Sequence, residues 1–132
     1  MTTTFADTSG LYALLVAEDA RHEAARQALR TLQEQGAGLV TTSFVLQETI
    51  ALLQARAGVA AVRTFHQFVI PALDVIWVDE PLYRRAIAAL VAADRRAVSL
   101  TDWTSFEVMR ASQITRAFAF DPHFAEQGFT TV

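Results

Sequence analysis

Short β-prone segments alternate with longer helical ones along the 132 residues of this chain, and that alternation limits the folds open to it. TTTFA (2–6) reads as a first strand, followed at once by DTSG and the apolar helical run LYALLVA. Residues 18–36 predict an amphipathic helix, apolar at Ala24, Ala25, Ala28, Leu29 and Leu32, with Gly36 suited to its end. GLVTT (38–42) is a second strand, and Thr42 or Ser43 can cap the helix that follows. GVAAVRTFHQFVI is helical after the break at Gly58, and Pro71 closes it before the strand DVIWV (74–78). DEPLYRRAIAALVAAD (79–94) opens with two acids and a proline, as helices do. SLTDWTSFEVMRASQ (99–113) is another helix, AFAF (117–120) a buried strand, DPHFAEQ a short helix or turn, and FTTV a last strand. Strands alternating with helices predict an α/β fold: one domain over residues 1–132, a three-layer α/β/α sandwich around a mostly parallel sheet. In such sheets the ligand crevice lies beyond the carboxyl ends of the strands.

Composition excludes several chemistries. There is no cysteine, hence no disulfide, thiol nucleophile or thiolate metal site. All eleven basic residues are arginine. Without lysine there is no Walker phosphate loop, Schiff base or lysine-assisted phosphotransfer. A net charge of −3 argues against a broadly basic nucleic-acid binder, so any contact with a polyanion must use local arginines or a bound metal. No apolar stretch approaches membrane-spanning length, and MTTTFADTSG lacks the pattern of a signal peptide, which makes the cytoplasm the expected location.

Four acids stand apart from this background. Asp7 directly follows a predicted strand, and so does Asp121; either could serve as a helix cap as well as in a site. Asp102 falls in the first turn of a helix whose better caps are Ser99 and Thr101. Glu48, in FVLQETIALLQA (44–55), falls on the helical wheel between Phe44 and Leu52 and beside Ala55, while Gln47 and Gln54 cluster far round the cylinder. Such a carboxylate is expected to point inward, where it must be protonated, paired or bound to a cation. Arg56 lies roughly 80° round the same helix, a poor position for an intrahelical partner. Carboxylates brought together repel and raise one another's pKa unless a cation intervenes. A hard divalent ion, Mg2+ or Mn2+, resolves the conflict, and Glu48 then lines a metal pocket.

These residues bring a family into view. FADTSGLYALL (5–15), TTSFVLQETIALL (41–53), SLTDWTSFEVMR (99–110) and AFAFDPHFAEQGF (117–129) resemble, in order, the four motifs of the PIN-domain family and its VapC toxin nucleases. The resemblance covers nearly the whole chain and implies a Mg2+- or Mn2+-dependent endoribonuclease. Its acidic positions fall on Asp7, Glu48, Asp102 and Asp121, as catalytic residues and metal ligands, and its supporting hydroxyls on Ser9 and Thr101. It further implies 5′-phosphate and 3′-hydroxyl products, a homodimer, and a small antitoxin that occludes the pocket. The expected chemistry is in-line hydrolysis by water activated at the cation, with Asp7 and Asp102 as direct ligands and Glu48 and Asp121 completing the cluster.

Some positions depart from that pattern or lie outside it. Trp103 stands where relatives often carry a small residue or cysteine, and reads as a core tryptophan or a base-stacking platform; Pro122 replaces a common base. Arg95 and Arg96 read as a phosphate contact or a solvated pair. His22 and His66 have no motif partner, whereas His123 follows Asp121 closely enough to approach the pocket or to pack in the turn. Two other classes compete. A receiver-type or dehalogenase-type phosphatase also carries an aspartate after a strand, but needs the lysine this chain lacks. A PIN-like scaffold without turnover would be marked by loss of the acids, and all four are present.

Overall fold

Thr3–Ala6 forms β1, the middle strand of the sheet, and Thr4, Phe5 and Ala6 are fully buried. In the computed structural model, which describes residues 2–132, this strand is flanked on both sides by parallel neighbours. Met1, the first residue of the expected domain, lies outside the described residues. Gly38–Thr42 (β2), Asp74–Ile76 (β3), Arg116–Phe118 (β4) and Thr130–Thr131 (β5) complete an all-parallel sheet in the order β3-β2-β1-β4-β5. The sheet expected to be mostly parallel is parallel throughout its described strands.

Among the described residues, seven α-helices connect the strands: Thr8–Leu15 (α1), His22–Glu34 (α2), Ser43–Arg56 (α3), Val59–Thr64 (α4), Glu80–Ala93 (α5), Leu100–Ala111 (α6) and Pro122–Glu126 (α7). The chain steps from β1 to β2 to β3 in one direction, then crosses back to β4 and β5 on the other side of β1. Right-handed crossovers accordingly place α1–α4 on one face and α5–α7 on the other. α1 packs on α2 and α5 on α6, while α3 and α6 also meet each other. On the second face, Phe106, Phe124 and Phe129 form an aromatic cluster beneath Phe5 of the sheet. The reversal of direction leaves a crevice between the carboxyl ends of β1 and β4, where Ala6 pairs with Phe118.

Several boundaries differ from the expected ones, each for a local reason. The helix expected from residue 18 begins at His22, because the Asp19 side chain takes the Arg21 N–H at 2.8 Å and holds the preceding residues in a turn. It ends in a Schellman motif: Gly36, at φ 66°, donates to the Gln33 carbonyl and Ala37 to that of Leu32. β3 stops at Ile76 rather than 78, as the Ser43 hydroxyl captures the Val78 N–H at 2.9 Å. The helix after Gly58 is not uniform: Phe65–Val69 widens into a π turn, and Ile70–Ala72 tightens into a 3-10 turn around Pro71.

Gly10 is the residue that lets α1 lie close to β4. A Cβ there would overlap the Phe118 carbonyl oxygen and sit 2.9 Å from Phe118 Cδ2. That close approach is what brings the start of α1 against the end of β4.

Candidate active site

Asp7 is the N-cap of α1; its Oδ2 accepts from the Ser9 N–H at 3.1 Å and from the Ser9 hydroxyl at 2.6 Å. The same hydroxyl accepts the N–H of Phe120 at 2.9 Å and of Asp121 at 3.3 Å. Ser9 thus ties the acid after β1 to the loop after β4. These two side-chain bonds also explain why β4 ends at Phe118 and not at Phe120: the next backbone donors go to a hydroxyl rather than to a strand. Asp121 is in turn the N-cap of α7, accepting from the His123 N–H at 2.9 Å.

Asp102 has a structural role that its sequence position concealed. It completes a capping box with Ser99: Oδ2 accepts the Ser99 N–H at 3.2 Å, and the Ser99 hydroxyl accepts the Asp102 N–H at 3.1 Å. The hydroxyl bound at this acid is therefore that of Ser99. Thr101 offers its carbonyl to the Ser105 hydroxyl, and among the described residues its own hydroxyl has no hydrogen bond. Serine three positions before an acid was the available signal for the box.

Glu48 is half-buried, not enclosed as the wheel suggested. The stripe of α3 that enters the core is Val45, Leu46, Thr49 and Leu53, centred about 115° from Glu48 at about 100° per residue. Phe44, Leu52 and Ala55, its apolar neighbours on the wheel, flank that stripe instead of forming it. Glu48 consequently lines a cavity of about 470 Å3 together with Asp7, Asp121, Ser9, Tyr12 and Arg21. Its helix is fixed against α1 by buried hydroxyls: Thr49 donates to Thr8 at 3.1 Å, and Thr8 donates to the Val45 carbonyl at 3.4 Å.

The four acids share one electrostatic environment. Burial pushes the Asp7 carboxyl up to about 7; its Ser9 hydrogen bonds oppose the rise, and Asp102 and Asp121 reinforce it. Asp102 is pushed up to about 6, chiefly by burial and further by Asp121 and Glu48, against the pull of its Ser99 hydrogen bonds. Among the described residues no arginine forms an ion pair with any of the four. Arg95, a candidate phosphate contact by sequence, instead bridges to Glu126 at 3.4 Å. Trp103 is buried edge-on against Phe106, 5.4 Å between ring centroids, and is a core residue rather than a stacking platform.

His123 approaches the acids more closely than its motif position revealed. Its Nε2 lies 3.8 Å from Asp121 Oδ1, and its Nδ1 is 2.7 Å from Glu126 Oε1. The Glu126 hydrogen bond, followed by the charges of Asp121 and Asp102, raises the imidazole pKa against a smaller burial effect. One ligand atom each from Asp102, Asp121 and His123 lie within 4.8 Å of one another. Carboxylate oxygens gathered this closely, joined by an imidazole and lacking arginine partners, suit a hard divalent cation.

A crevice at the switch point of a parallel sheet, lined with acids that no arginine neutralises, is the place where such a sheet presents a ligand site. Residues 4–129 match the family model of the PIN domain, and the chain belongs to that family. Two curated relatives are 39% identical over 129 residues, covering 97% of this chain and 96% of theirs. Both are 23S rRNA-specific endonuclease VapC20 from Mycobacterium tuberculosis, strains CDC 1551 / Oshkosh and ATCC 25618 / H37Rv. The crystal structure of Mycobacterium tuberculosis VapC20, described as a sarcin–ricin loop cleaving toxin, superposes with a TM-score of 0.85 at 37% identity, over 98% of each chain. Family membership sets aside the receiver and phosphatase alternatives.

Proposed function

We propose that residues 1–132 act as one Mg2+- or Mn2+-dependent endoribonuclease domain that hydrolyses ribosomal RNA, as the toxin of a toxin–antitoxin pair. As a PIN-domain protein the chain is a nuclease. The observation that carries the finer reading is that Asp102 and Asp121 act on Asp7, and Asp121 and Glu48 on Asp102, with no arginine among the described residues paired to any of the four. Substrate class is carried over from the VapC20 relatives, whose target is 23S rRNA.

Asp102 and Asp121, with His123 beside them, would hold the cation, and Asp7 and Glu48 would complete the set. When bound, a divalent ion supplies Lewis acidity and offsets negative charge at the scissile phosphate. Ser9 fixes one Asp7 oxygen and the Phe120–Asp121 backbone together, so that two acids from opposite ends of the chain keep a constant spacing. Thr101 is carried as a supporting hydroxyl at the mouth of α6. In the reaction a water oxygen bonds to phosphorus in line with the departing 3′-oxygen, and the P–O3′ bond breaks. The products carry 5′-phosphate and 3′-hydroxyl ends. The coupled carboxylates offer the proton acceptors nearest to such a water.

Resemblance to the VapC toxins also brings a small antitoxin and a homodimer into the reading. Phe68, 73% exposed beside Val69 and Leu29, offers an apolar face for such contacts. No helix of the described residues is long and apolar enough to cross a membrane, and a ribosomal RNA substrate would accord with a cytoplasmic location.

Purified protein incubated with 23S rRNA, in Mn2+ or in chelator, tests this reading. Cleavage in Mn2+ alone, lost at least a hundredfold in Asp102→Asn, supports it. Metal-independent cutting or full activity of that variant contradicts the mechanism, and no cleavage under any condition favours the inactive scaffold.

A further inference from the structure

Two arginines line the same cavity as the acids without neutralising them. The Arg56 guanidinium lies over the Tyr12 ring, 5.6 Å from its centroid. The Arg21 guanidinium lies over the Phe120 ring at 5.3 Å, and its Nη1 donates to the Phe120 carbonyl at 2.9 Å. Neither pairs with a carboxylate among the described residues, although Glu23, Glu80 and Glu126 each engage another arginine. Both side chains are exposed, so they retain hydration and free donors.

A cation stacked on an aromatic face loses little of its donor capacity and much of its freedom to wander. That is the arrangement expected of a group held ready for an anion. Arg56 also belongs to a neighbouring groove lined by Tyr12, Val16, Glu18, Asp19 and Ala57, which continues the cavity past the acids. Arg56 is the only cation among the described residues of that groove, so a phosphate entering it has one partner. Phe120 adjoins Asp121, which sets Arg21 beside the acids on the β4 side.

We propose that Arg56, braced on Tyr12, and Arg21, braced on Phe120, bind the phosphates on either side of the scissile one and position the RNA strand across the acids. This rests on the ribonuclease reading above. It answers how a chain of net charge −3 holds a polyanion: two local guanidiniums supply the strand contacts, and the broad surface need not be basic. Both are positioning residues, since they touch neither the attacked phosphorus nor the acids.

The test is steady-state cleavage of a 23S rRNA hairpin carrying the sarcin–ricin loop, in Mn2+, over a range of salt. Arg56→Met and Arg21→Met are each expected to raise KM about tenfold with kcat within about twofold. Each should also flatten the log–log salt dependence of kcat/KM by about 0.7, the share of one phosphate contact on a single strand. Arg84→Met, on α5 and paired with Glu80, is the control and should leave both unchanged. Arg56→Lys should recover part of the salt slope, which a packing role alone would not predict. Wild-type cleavage with unaltered KM and slope in both Met variants overturns this inference alone. A kcat loss with unchanged KM likewise overturns it. Absence of wild-type cleavage overturns the ribonuclease reading and this inference with it.

Discussion

The Ser9 hydroxyl donates to Asp7 Oδ2 across 2.6 Å. Because the Ser9 Oγ itself accepts two backbone N–H groups from the loop after β4, one small side chain sets the spacing between Asp7 and Asp121. Ser9→Ala leaves the Phe120 and Asp121 donors without that acceptor and is expected to cost about 1–3 kcal/mol. The Asp7 carboxyl loses a hydrogen bond that favours its charged form, so its pKa should climb beyond about 7. Cleavage should fall about tenfold or more at neutral pH, and Mn2+ binding should shift to higher pH, which titration at pH 6, 7 and 8 would reveal.

Gly10 gives a purely steric prediction. Any Cβ at this position meets the Phe118 backbone, which cannot swing aside as a side chain would. Gly10→Ala should destabilise the protein by about 2 kcal/mol or more, and lower Tm by about 5 °C or more. Thermal denaturation followed by circular dichroism measures this directly. An unchanged Tm would mean that α1 and β4 are not held this close.

The paired acids also fix how stability depends on pH. Asp7 and Asp102 bind a proton more tightly in the folded chain, at about 7 and about 6, than in the unfolded one, near ~3.9. Folding therefore takes up protons between those limits, and the metal-free protein should lose stability as pH rises from about 4 to about 7. The penalty is fully present above pH 7. His123, with its raised pKa, acts in the same direction, its contribution being lost as pH rises through the folded value. Denaturant melts from pH 5 to 8 in chelator should show this trend. Asp7→Asn should flatten it and raise stability at pH 7.5 by about 2 kcal/mol.

Much of this candidate site is legible in the chain itself, and what is not has identifiable causes. The strand-helix alternation predicts the sheet because both faces of β1 must be buried, and TTTFA carries no charge to prevent it. Asp7 and Asp121 are readable because an acid after a strand, before a hydroxyl or a proline, is where an N-cap and a crevice coincide. Glu48 is harder: Phe44, Leu52 and Ala55 look like a core face on a wheel, but only the packing of Thr49 against Thr8 tells which side of α3 turns inward. The ends of β3 and β4 are set by Ser43 and Ser9, whose partners lie 35 and 111 residues away, too far for any local pattern to reveal. The bracing of Arg21 and Arg56 by Phe120 and Tyr12 is likewise tertiary.

Trp103 separates a core role from a nucleic-acid role. Its ring is buried against Phe106, and its indole Nε1 has no hydrogen-bond partner among the described residues. Trp103→Phe removes that unpaired donor while leaving a small void, so stability should change by about 1 kcal/mol or less. Trp103→Ala should cost about 3–5 kcal/mol. KM for RNA should be unaltered in the Phe variant; a marked rise would return Trp103 to the stacking role.

The central claim is that acids from separated parts of the chain converge on one divalent cation. Mn2+ binding by electron paramagnetic resonance, in wild type and in Asp121→Asn, tests it without reference to any RNA. Convergence predicts saturable binding by the wild type, weakened about tenfold or more in the variant. Equal affinity in the two proteins, or no saturable Mn2+ site in the wild type, would contradict it.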